Sequence, residues 1–330
     1  MKEVVIVSAV RTPFGKYGGG LKPLKAVELG GLAIAEALKR AKISGEQVDE
    51  VVFGTVLAAG QGQVPARQAS VKGGIPYTVP VVTINKVCGS ALKAVTLGAQ
   101  MIKAGDADVV VCGGMESMSN APYLVNEARW GARMNDIKMK DAMVLDGLWC
   151  PQNNVHMAVI GGAVAGEYGI TREMQDAWAL RSQQRWAAGE AKGAFDDERF
   201  PVEVPGKKGQ KTVVAKDEAP RPETTLEALS KLPPIFTPDN TVTAGNAPGT
   251  NDGASAVVIM SREKAQALGA PILATLKGYA QASREARYIA TVPGLAIQNL
   301  MEKTGLKLED VELMEVNEAF AAVPLVSCLG

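Results

Sequence analysis

Val79-Pro-Val-Val-Thr-Ile-Asn-Lys-Val-Cys-Gly-Ser90 is the stretch of sequence that decides the fold. Residues 79–85 predict a short buried strand, residues 86–90 a turn, and residues 91–103 a helix. The apolar residues of this helix are expected on one face: Leu92, Val95, Leu97, Ala99 and Ile102. A strand that leads through a tight turn into a helix is the repeating unit of α/β proteins.

Cys88 occupies the turn of this unit, at the start of the predicted helix. Unpaired backbone N–H groups and the positive end of the helix dipole favour a thiolate there. A thiolate is the form of cysteine that attacks carbonyl carbons. A lone cysteine is also often a small residue of the core. The residue alone therefore leaves two interpretations open, a nucleophile and a packing residue.

Strand and helix patterns alternate over residues 3–113. The predicted strands are 3–9, 50–56, 79–85 and 108–113, the last ended by Gly113-Gly114, and the predicted helices lie near 26–41, 65–72 and 90–104. This alternation predicts a mainly parallel sheet covered by helices. Residues 115–250 are irregular around one long helix, 171–192, and predict an inserted excursion. A strand resumes at 254–260.

Composition and charge exclude several classes of protein. With 330 residues, the chain is expected to form two or more domains. Lys plus Arg and Asp plus Glu both number 35, so there is no overall field to bind nucleic acid or an anionic membrane. Four cysteines without zinc-ligand spacing and one histidine argue against a metal site or a disulfide framework. With no signal peptide and no run of 18 apolar residues, a soluble cytoplasmic protein is predicted.

A weak internal repeat links the two ends of the chain. Gly31-Leu-Ala-Ile34 recurs as Gly294-Leu-Ala-Ile297, and Glu46-Gln-Val-Asp49 resembles Glu309-Asp-Val-Glu312 at the same offset. Both copies predict a helix, a short turn and a strand. The counterpart of Cys88 would fall beyond the last residue, so we expect the second copy to lack its end.

Six stretches together resemble the thiolase family, and the resemblance covers the whole chain. They are Val7-Ser-Ala-Val-Arg-Thr-Pro13, Gly62-Gln-Val-Pro-Ala-Arg-Gln68, Asn85-Lys-Val-Cys-Gly-Ser90, Gly113-Gly-Met-Glu-Ser-Met-Ser119, Thr243-Ala-Gly-Asn246 and Asn317-Glu-Ala-Phe-Ala-Ala322. The surroundings of Cys88 and Arg129-Trp-Gly-Ala-Arg133 are closest to the short-chain, acetyl-CoA acetyltransferase branch. Arg172-Glu-Met-Gln-Asp176 and Arg221-Pro-Glu-Thr-Thr225 are more similar to the degradative 3-ketoacyl-CoA branch.

The resemblance implies an α/β fold of duplicated αβαβα layers, with an inserted loop domain and an incomplete second half. Residues 1–119 and 250–271 would form the N-terminal half, 120–249 the coenzyme A-binding loop domain, and 272–330 the start of the C-terminal half. It also implies a homodimer or homotetramer, with contacts expected in 115–140.

The chemistry implied is acyl transfer between coenzyme A thioesters, without a tightly bound cofactor. Cys88 would accept an acetyl group, and a second acetyl-CoA would condense with it to acetoacetyl-CoA; thiolysis is the reverse. Asn317 would orient a water at the enolate oxygen, although asparagine is also a favoured helix N-cap. The residues implied to bind substrate are Leu148, His156, Met157, Arg221, Phe236, Ala244, Ala247, Ala319 and Phe320.

Two catalytic residues of the thiolase family have no match in this sequence. They are the activating histidine of a Gly-His-Pro motif and a second cysteine that removes the α-proton. Cys328 does not match that cysteine, and a small helix residue is expected there. We therefore expect little turnover from these 330 residues alone. A 3-ketoacyl-CoA thiolase of fatty-acid degradation and a non-catalytic acyl-CoA- or lipid-binding protein are the alternatives. For most of the basic residues of 199–221, a solvated charged hairpin is favoured over phosphate binding.

Overall fold

The computed structural model describes residues 2–206 and 209–329. Its strands, in chain order, are β1 (Val4–Arg11), β2 (Gly15–Lys16), β3 (Glu50–Gly54), β4 (Val81–Ile84), β5 (Val109–Ser117), β6 (Tyr123–Leu124), β7 (Lys140–Asp141), β8 (Trp149–Cys150), β9 (Val155–His156), β10 (Val202–Pro205), β11 (Lys211–Val214), β12 (Asn251–Ser261) and β13 (Ala274–Thr275).

The helices complete the secondary structure of the described residues. They are α1 (Ala26–Ala41), α2 (Pro65–Lys72), α3 (Ser90–Ala104), α4 (Met157–Glu167), α5 (Arg172–Ala191), α6 (Leu226–Ser230), α7 (Arg262–Leu268), α8 (Val292–Thr304) and α9 (Ala322–Ser327). Short 3-10 turns lie at Gly45–Gln47, Met118–Asn120, Asn126–Trp130, Ala286–Thr291 and Leu308–Asp310, and a π-helical turn at Met143–Leu148. None of the helices in the described ranges is long and apolar enough to cross a membrane.

The chain divides into two compact units. The first comprises Met1–Gly147, Phe195–Ala219 and Thr250–Leu276, and the second comprises Leu148–Ala194, Pro220–Gly249 and Lys277–Gly330. Each unit is assembled from three separate stretches of chain, so its packing depends on contacts between residues far apart in sequence. The division into two halves and a loop domain stays a prediction.

The main sheet of the first unit has the strand order β13-β1-β12-β5-β3-β4, with β2 paired to β12. The β3–β5 and β3–β4 ladders are parallel, whereas β12 runs antiparallel to β1, β2 and β5, and β13 runs antiparallel to β1. The expectation of a mainly parallel sheet is therefore wrong. The alternation of strands and helices describes the first part of the chain well, but β12 returns from a distant segment and enters the sheet between β1 and β5 in the opposite direction.

The two faces of β5 meet different helices, because successive side chains of a strand point to opposite faces. Met115 lies on the face of α1, where it packs against Gly30. Cys112 lies on the face of α3, where a Cβ added to Gly98 would be 2.6 Å from its Sγ. Helix α3 therefore approaches the sheet through small residues.

Because α3 lies so close to the sheet, its buried face differs from the predicted apolar face. Of the predicted face, Ala99 and Ile102 are buried, whereas Leu92 is 72% exposed. The other buried residues of the helix are Ser90, Ala94, Thr96 and Gly98. A face of larger side chains would hold the helix further from the strands.

Gly113 and Gly114 do not end the strand, as their type predicted, but lie in the middle of β5. A Cβ on Gly113 would be 2.1 Å from the backbone oxygen of Ser255 and 2.6 Å from the ring of Phe53. Glycine is required there by close packing within the sheet rather than by a turn.

The internal repeat is partly realised. Helix α1 and the 3-10 turn Gly45–Gln47 have counterparts in α8 and Leu308–Asp310, with left-handed C-caps at Lys42 and Gly305. The predicted second strand is not formed, since residues 311–317 carry no strand in the described structure. Strand β3 is paired on both sides, whereas no strand among the described residues pairs with 311–317.

The core of the second unit joins α4 and α9 to the loop at residues 240–247. Its buried members include Ile160, Val164, Val242, Ala290, Phe320, Val323 and Val326. Phe320 packs against Gly161 of α4, where a Cβ would lie 2.7 Å from its ring. The Asn-Glu-Ala-Phe turn is thus fixed at its end by a buried ring.

We predict that Gly113→Ala destabilises the chain by about 3 kcal/mol, because the new methyl must displace backbone and a packed ring. Gly166→Ala in α4 is the matched control, since a Cβ there meets no atom within 4 Å. It should leave the free energy of unfolding within about 1 kcal/mol of the parent or raise it. Urea unfolding measures both, and equal stabilities would contradict the packing described for β5.

Candidate active site

Cys88 lies in the turn between β4 and α3 and is exposed. The preceding residue, Val87, has a φ of +48°. A β-branched residue rarely adopts this left-handed conformation, and such strain often marks functional sites. Because Cys88 is exposed, its interpretation as a core residue is excluded.

Side-chain hydrogen bonds hold the strained turn in place. The Oδ1 of Asn85 accepts the N–H of Val87 at 2.9 Å, and the Oγ of Ser90 accepts the N–H of Lys86 at 2.8 Å. The Ser90 hydroxyl also donates to the carbonyl of Val87 at 2.6 Å. The N–H groups of Lys86 and Val87 and the carbonyl of Val87 are therefore hydrogen-bonded, and Ser90 holds the turn from the other side of Cys88.

The pKa of the Cys88 thiol is raised, mainly because surrounding atoms desolvate it. A hydrogen bond with its own backbone amide lowers this pKa, and the charge of Glu116 raises it. The backbone amide at the helix start thus favours the thiolate, as expected, but desolvation outweighs it. The net direction favours the protonated thiol, so the reaction of Cys88 as a nucleophile includes the loss of its proton.

Glu116 lies near Cys88 at the end of β5. Its carboxylate accepts hydrogen bonds from the N–H groups of Val56, at 2.8 Å, and Leu57, at 3.1 Å, and from the hydroxyl of Thr55, at 3.1 Å. Desolvation raises the pKa of Glu116 and these hydrogen bonds lower it. Three donors on one half-buried carboxylate fix both the side chain and the segment that follows β3.

In the second unit, Asn317 is exposed in the irregular segment before α9. Helix α9 begins at Ala322 and its N-cap is Ala321. The interpretation of Asn317 as a helix cap is therefore wrong, and the amide is available to a ligand.

The residue after Asn317 anchors this segment to the long helix α5. The carboxylate of Glu318 accepts hydrogen bonds from the Nε1 of Trp178, at 2.9 Å, and from the Oγ of Ser182, at 2.8 Å. Because both donors lie on one helix, they fix the direction of the chain next to Asn317.

A buried polar network supports the other end of the same segment. The N–H of Ala321 donates to the carbonyl of Asn246 at 2.9 Å, and the Nδ2 of Asn246 donates to Asp176 at 2.9 Å. Asp176 in turn pairs with Arg172 at 2.8 Å. The buried carboxylate thus joins α5, the loop at Asn246 and the turn before α9.

His156 is the N-cap of α4, and its Nδ1 accepts the N–H of Ala158 at 3.1 Å. Its ring stacks on Phe236, with ring centroids 4.0 Å apart. Desolvation lowers the pKa of His156, which agrees with a neutral ring that accepts a backbone hydrogen bond. Phe236 itself has a φ of +69°, so this stack includes a second strained residue.

The other residues predicted to bind substrate are placed as follows. Met157, Ala247 and Ala319 pack against the core of the second unit, and Phe320 is part of that core. Arg221 and Ala244 are exposed, and Leu148 ends the π-helical turn. Cys328, outside this set, is exposed and directly follows α9. The structure does not test the binding roles.

In the charged segment 199–221, Lys211 forms an exposed ion pair with Glu203. This agrees with the expected solvated hairpin. Arg199 is different, since it is buried beside Asp217, which also pairs with Arg11. Lys207 and Lys208 lie outside the described residues. Across the described ranges, no group of three or more His, Cys, Asp or Glu side chains could hold a metal.

Sequence reasoning missed the residues that support the site. Glu116, Asn246 and Glu318 all lie inside motifs that carry the family resemblance, and Asp176 ends another. A charged or amide side chain within such a motif was the available signal. The partners that join these side chains to other elements, such as Thr55 for Glu116, Trp178 for Glu318 and Asp176 for Asn246, are more than 50 residues away in the sequence.

We predict that Phe236→Ala raises the pKa of His156 toward its ordinary value of about 6.5, because the stacked ring contributes to the desolvation. His156 is the only histidine of the chain, so one pair of imidazole resonances in a proton NMR titration reports it. The parent should titrate below the variant. Identical titration curves would contradict the assigned cause, and Phe14→Ala, which alters an exposed ring of the first unit, is the control.

Comparison with known proteins places this geometry in a family. The family described as "Thiolase, N-terminal domain" matches residues 4–263, and "Thiolase, C-terminal domain" matches residues 270–329. A protein of Pseudomonas aeruginosa named acetyl-CoA acetyltransferase is 49% identical over 325 residues, which cover 98% of this chain and 83% of that protein.

Two solved structures have the same fold. An acetyl-CoA acetyltransferase from Syntrophomonas wolfei has a TM-score of 0.96 at 40% identity, with 100% of this chain and 82% of that chain covered. Human mitochondrial 3-ketoacyl-CoA thiolase has a TM-score of 0.94 at 42% identity, with 99% and 82% covered. The expected thiolase-like α/β fold is therefore confirmed, and the chain belongs to the thiolase family.

Proposed function

We propose that this chain transfers acetyl groups between coenzyme A thioesters as an acetyl-CoA C-acetyltransferase. The reaction is the condensation of two molecules of acetyl-CoA to acetoacetyl-CoA and the reverse thiolysis; little turnover is expected from these 330 residues alone, since the activating histidine and the second cysteine of thiolases have no match in them. The observation that carries the proposal is an exposed Cys88 in a strained, hydrogen-bonded turn at the start of α3, in a chain 49% identical to a protein named acetyl-CoA acetyltransferase.

Cys88 performs the first half of the reaction. Its Sγ attacks the carbonyl carbon of acetyl-CoA and loses its proton to a base. A bond from carbon to Sγ forms, the bond to the coenzyme A sulfur breaks, and that sulfur leaves as a thiol after protonation. The carbonyl oxygen becomes negative on the way, and the N–H of Cys88 is the donor we assign to it.

Asn317 serves the second half, in which a second acetyl-CoA loses an α-proton and its carbon attacks the acetyl group on Cys88. Negative charge then develops on the enolate oxygen, and a water held by the Asn317 amide would stabilise it. The exposed position of Asn317 and the fixed chain on either side of it support this role. Fixed donors stabilise a developing charge without reorganising during the step.

Recognition of coenzyme A is assigned to the second unit. The neutral ring of His156, stacked on Phe236, offers an apolar surface to the pantetheine chain, together with Leu148, Met157, Ala244, Ala247, Ala319 and Phe320. The exposed guanidinium of Arg221 is assigned to the adenine end. The substrates are acetyl-CoA and acetoacetyl-CoA, and the proposal needs no tightly bound cofactor.

Self-association and a cytoplasmic location remain proposals from the family resemblance. Large apolar side chains at the surface of 123–139 support the first, since exposed apolar patches often mark interfaces between proteins. They are Tyr123, Trp130, Met134, Ile137 and Met139. A homodimer or homotetramer would cover these side chains.

We predict that incubation with acetyl-CoA adds one acetyl group to Cys88, because this step forms the thioester intermediate. Intact-protein and peptide mass spectrometry measure the added group and its position. Cys88→Ser should carry none at that position, and Cys328→Ser, which alters the other exposed cysteine, should be acetylated like the parent. Acetylation at Cys328 instead of Cys88 would contradict the proposal.

Two other outcomes correspond to the alternatives. Faster acylation by octanoyl-CoA than by acetyl-CoA would favour a 3-ketoacyl-CoA thiolase of longer chains. Binding of acetyl-CoA in equilibrium dialysis without a covalent product would favour a non-catalytic acyl-CoA-binding protein. The assay follows the first half-reaction alone, so its result does not depend on the later condensation.

A further inference from the structure

We propose that Glu116 is a positioning residue for the nucleophile: its carboxylate holds, by three hydrogen bonds, the segment after β3 against which the Cys88 turn rests, and it places a negative charge near Cys88. This inference deepens the proposed function, on which it rests, by naming the group that holds Cys88 before substrate arrives.

The register of β5 against α3 places Glu116 beneath the turn. Cys112, Gly114 and Glu116 point to the same face of the strand, because side chains alternate. Cys112 lies under Gly98 in the middle of the helix, and Gly114 lies under Ala91 in its first turn, where a Cβ would be 3.0 Å from that of Ala91. The next position on this face, Glu116, therefore lies past the helix start, at the level of the 85–90 turn.

Hydrogen bonds connect the carboxylate to the turn through one short segment. The carboxylate of Glu116 accepts the N–H of Val56 at 2.8 Å. The carbonyl of Val56 accepts a hydrogen bond from the Nδ2 of Asn85 at 3.3 Å. Asn85 in turn holds the N–H of Val87 at 2.9 Å. The strained residue before Cys88 is thus tied to Glu116 by three successive hydrogen bonds.

A second set of hydrogen bonds runs through Thr55, which directly follows β3. The N–H of Thr55 donates to the carbonyl of Ile84 at 3.1 Å, while its hydroxyl donates to Glu116 at 3.1 Å. One carboxylate therefore restrains the segment after β3, and that segment restrains both the end of β4 and the turn that follows it.

Glu116 also supplies the nearby negative charge. The charged groups on the elements around the turn are Lys86 in the turn, Lys93 and Lys103 in α3, Glu50 in β3 and Glu116 in β5. The charge of Glu116 acts on the thiol and raises the pKa of Cys88. A thiol that rests protonated reacts less with unwanted electrophiles, since the thiolate is the nucleophile.

The test uses iodoacetamide, which alkylates the thiolate and needs no acyl transfer. The rate of modification of Cys88, followed by peptide mass spectrometry across a pH series, gives the midpoint of thiolate formation. Glu116→Gln keeps the shape and an acceptor oxygen but removes the charge, and should lower this midpoint by about half a pH unit or more. Glu50→Gln, at the opposite end of β3, is the matched control and should leave it unchanged.

An unchanged midpoint in Glu116→Gln, or an equal shift in Glu50→Gln, would overturn the inference. A second measurement needs no substitution of Glu116. In the parent, the carbon-13 shift of the Glu116 carboxyl should show an inflection where Cys88 ionises, and this inflection should vanish in Cys88→Ser. Its absence from the parent would also overturn the inference. Failure of acetylation at Cys88 would instead count against the proposed function, because alkylation does not require it.

Discussion

The close approach of α3 to the sheet is the constraint on which the rest of the structure depends. Glycines on both partners permit it: a Cβ on Gly98 of the helix would meet Cys112, and a Cβ on Gly54 at the end of β3 would be 2.6 Å from that of Ser90. Because Ser90, the first residue of α3, packs on Gly54 at the end of β3, the chain that leaves β4 must turn sharply. Val87 absorbs that turn in a left-handed conformation, and Cys88 is left exposed at the surface.

Hydrogen bonds stabilise the strained turn at Val87 that the packing of α3 on the sheet requires. A strained residue costs roughly 1–3 kcal/mol and persists only where its surroundings determine its conformation. Asn85, Ser90 and, behind them, Glu116 supply those surroundings. The segment that carries Asn317 follows the same logic in the second unit, where Glu318 and Asn246 fix the chain and leave the amide exposed. In both places the residue proposed to act on substrate is exposed while its neighbours are hydrogen-bonded.

Local pattern was enough to predict most elements. The bounds of α1, Ala26–Ala41, and of α2, Pro65–Lys72, agree with the predicted 26–41 and 65–72, because apolar periodicity and Pro or Gly boundaries fix them. The direction and place of β12 could not be predicted, since they depend on pairing between segments more than a hundred residues apart. Leu92 was placed on the wrong face because a helix that packs through glycine and alanine has no strong apolar signal on its buried side.

Cys88 could be predicted as the nucleophile from sequence, but the raised pKa of its thiol could not be predicted. Cys88 is identified by its place at a helix start and by its motif, whereas its raised pKa arises from desolvation and from Glu116, a residue of another strand. The same holds for Asp176, whose partner Asn246 is 70 residues away in the sequence and meets it only in the folded chain. Supporting residues of this kind become visible when the tertiary contacts are known.

The most direct test of the central claim is a crystal structure of the chain after a brief soak in acetyl-CoA. The account predicts continuous density from the Sγ of Cys88 into an acetyl group, with Val87 still left-handed and the carbonyl oxygen within hydrogen-bond distance of the Cys88 N–H. Acetyl-CoA bound intact at a distance from an unmodified Cys88, or an acetyl group on another residue, would contradict it.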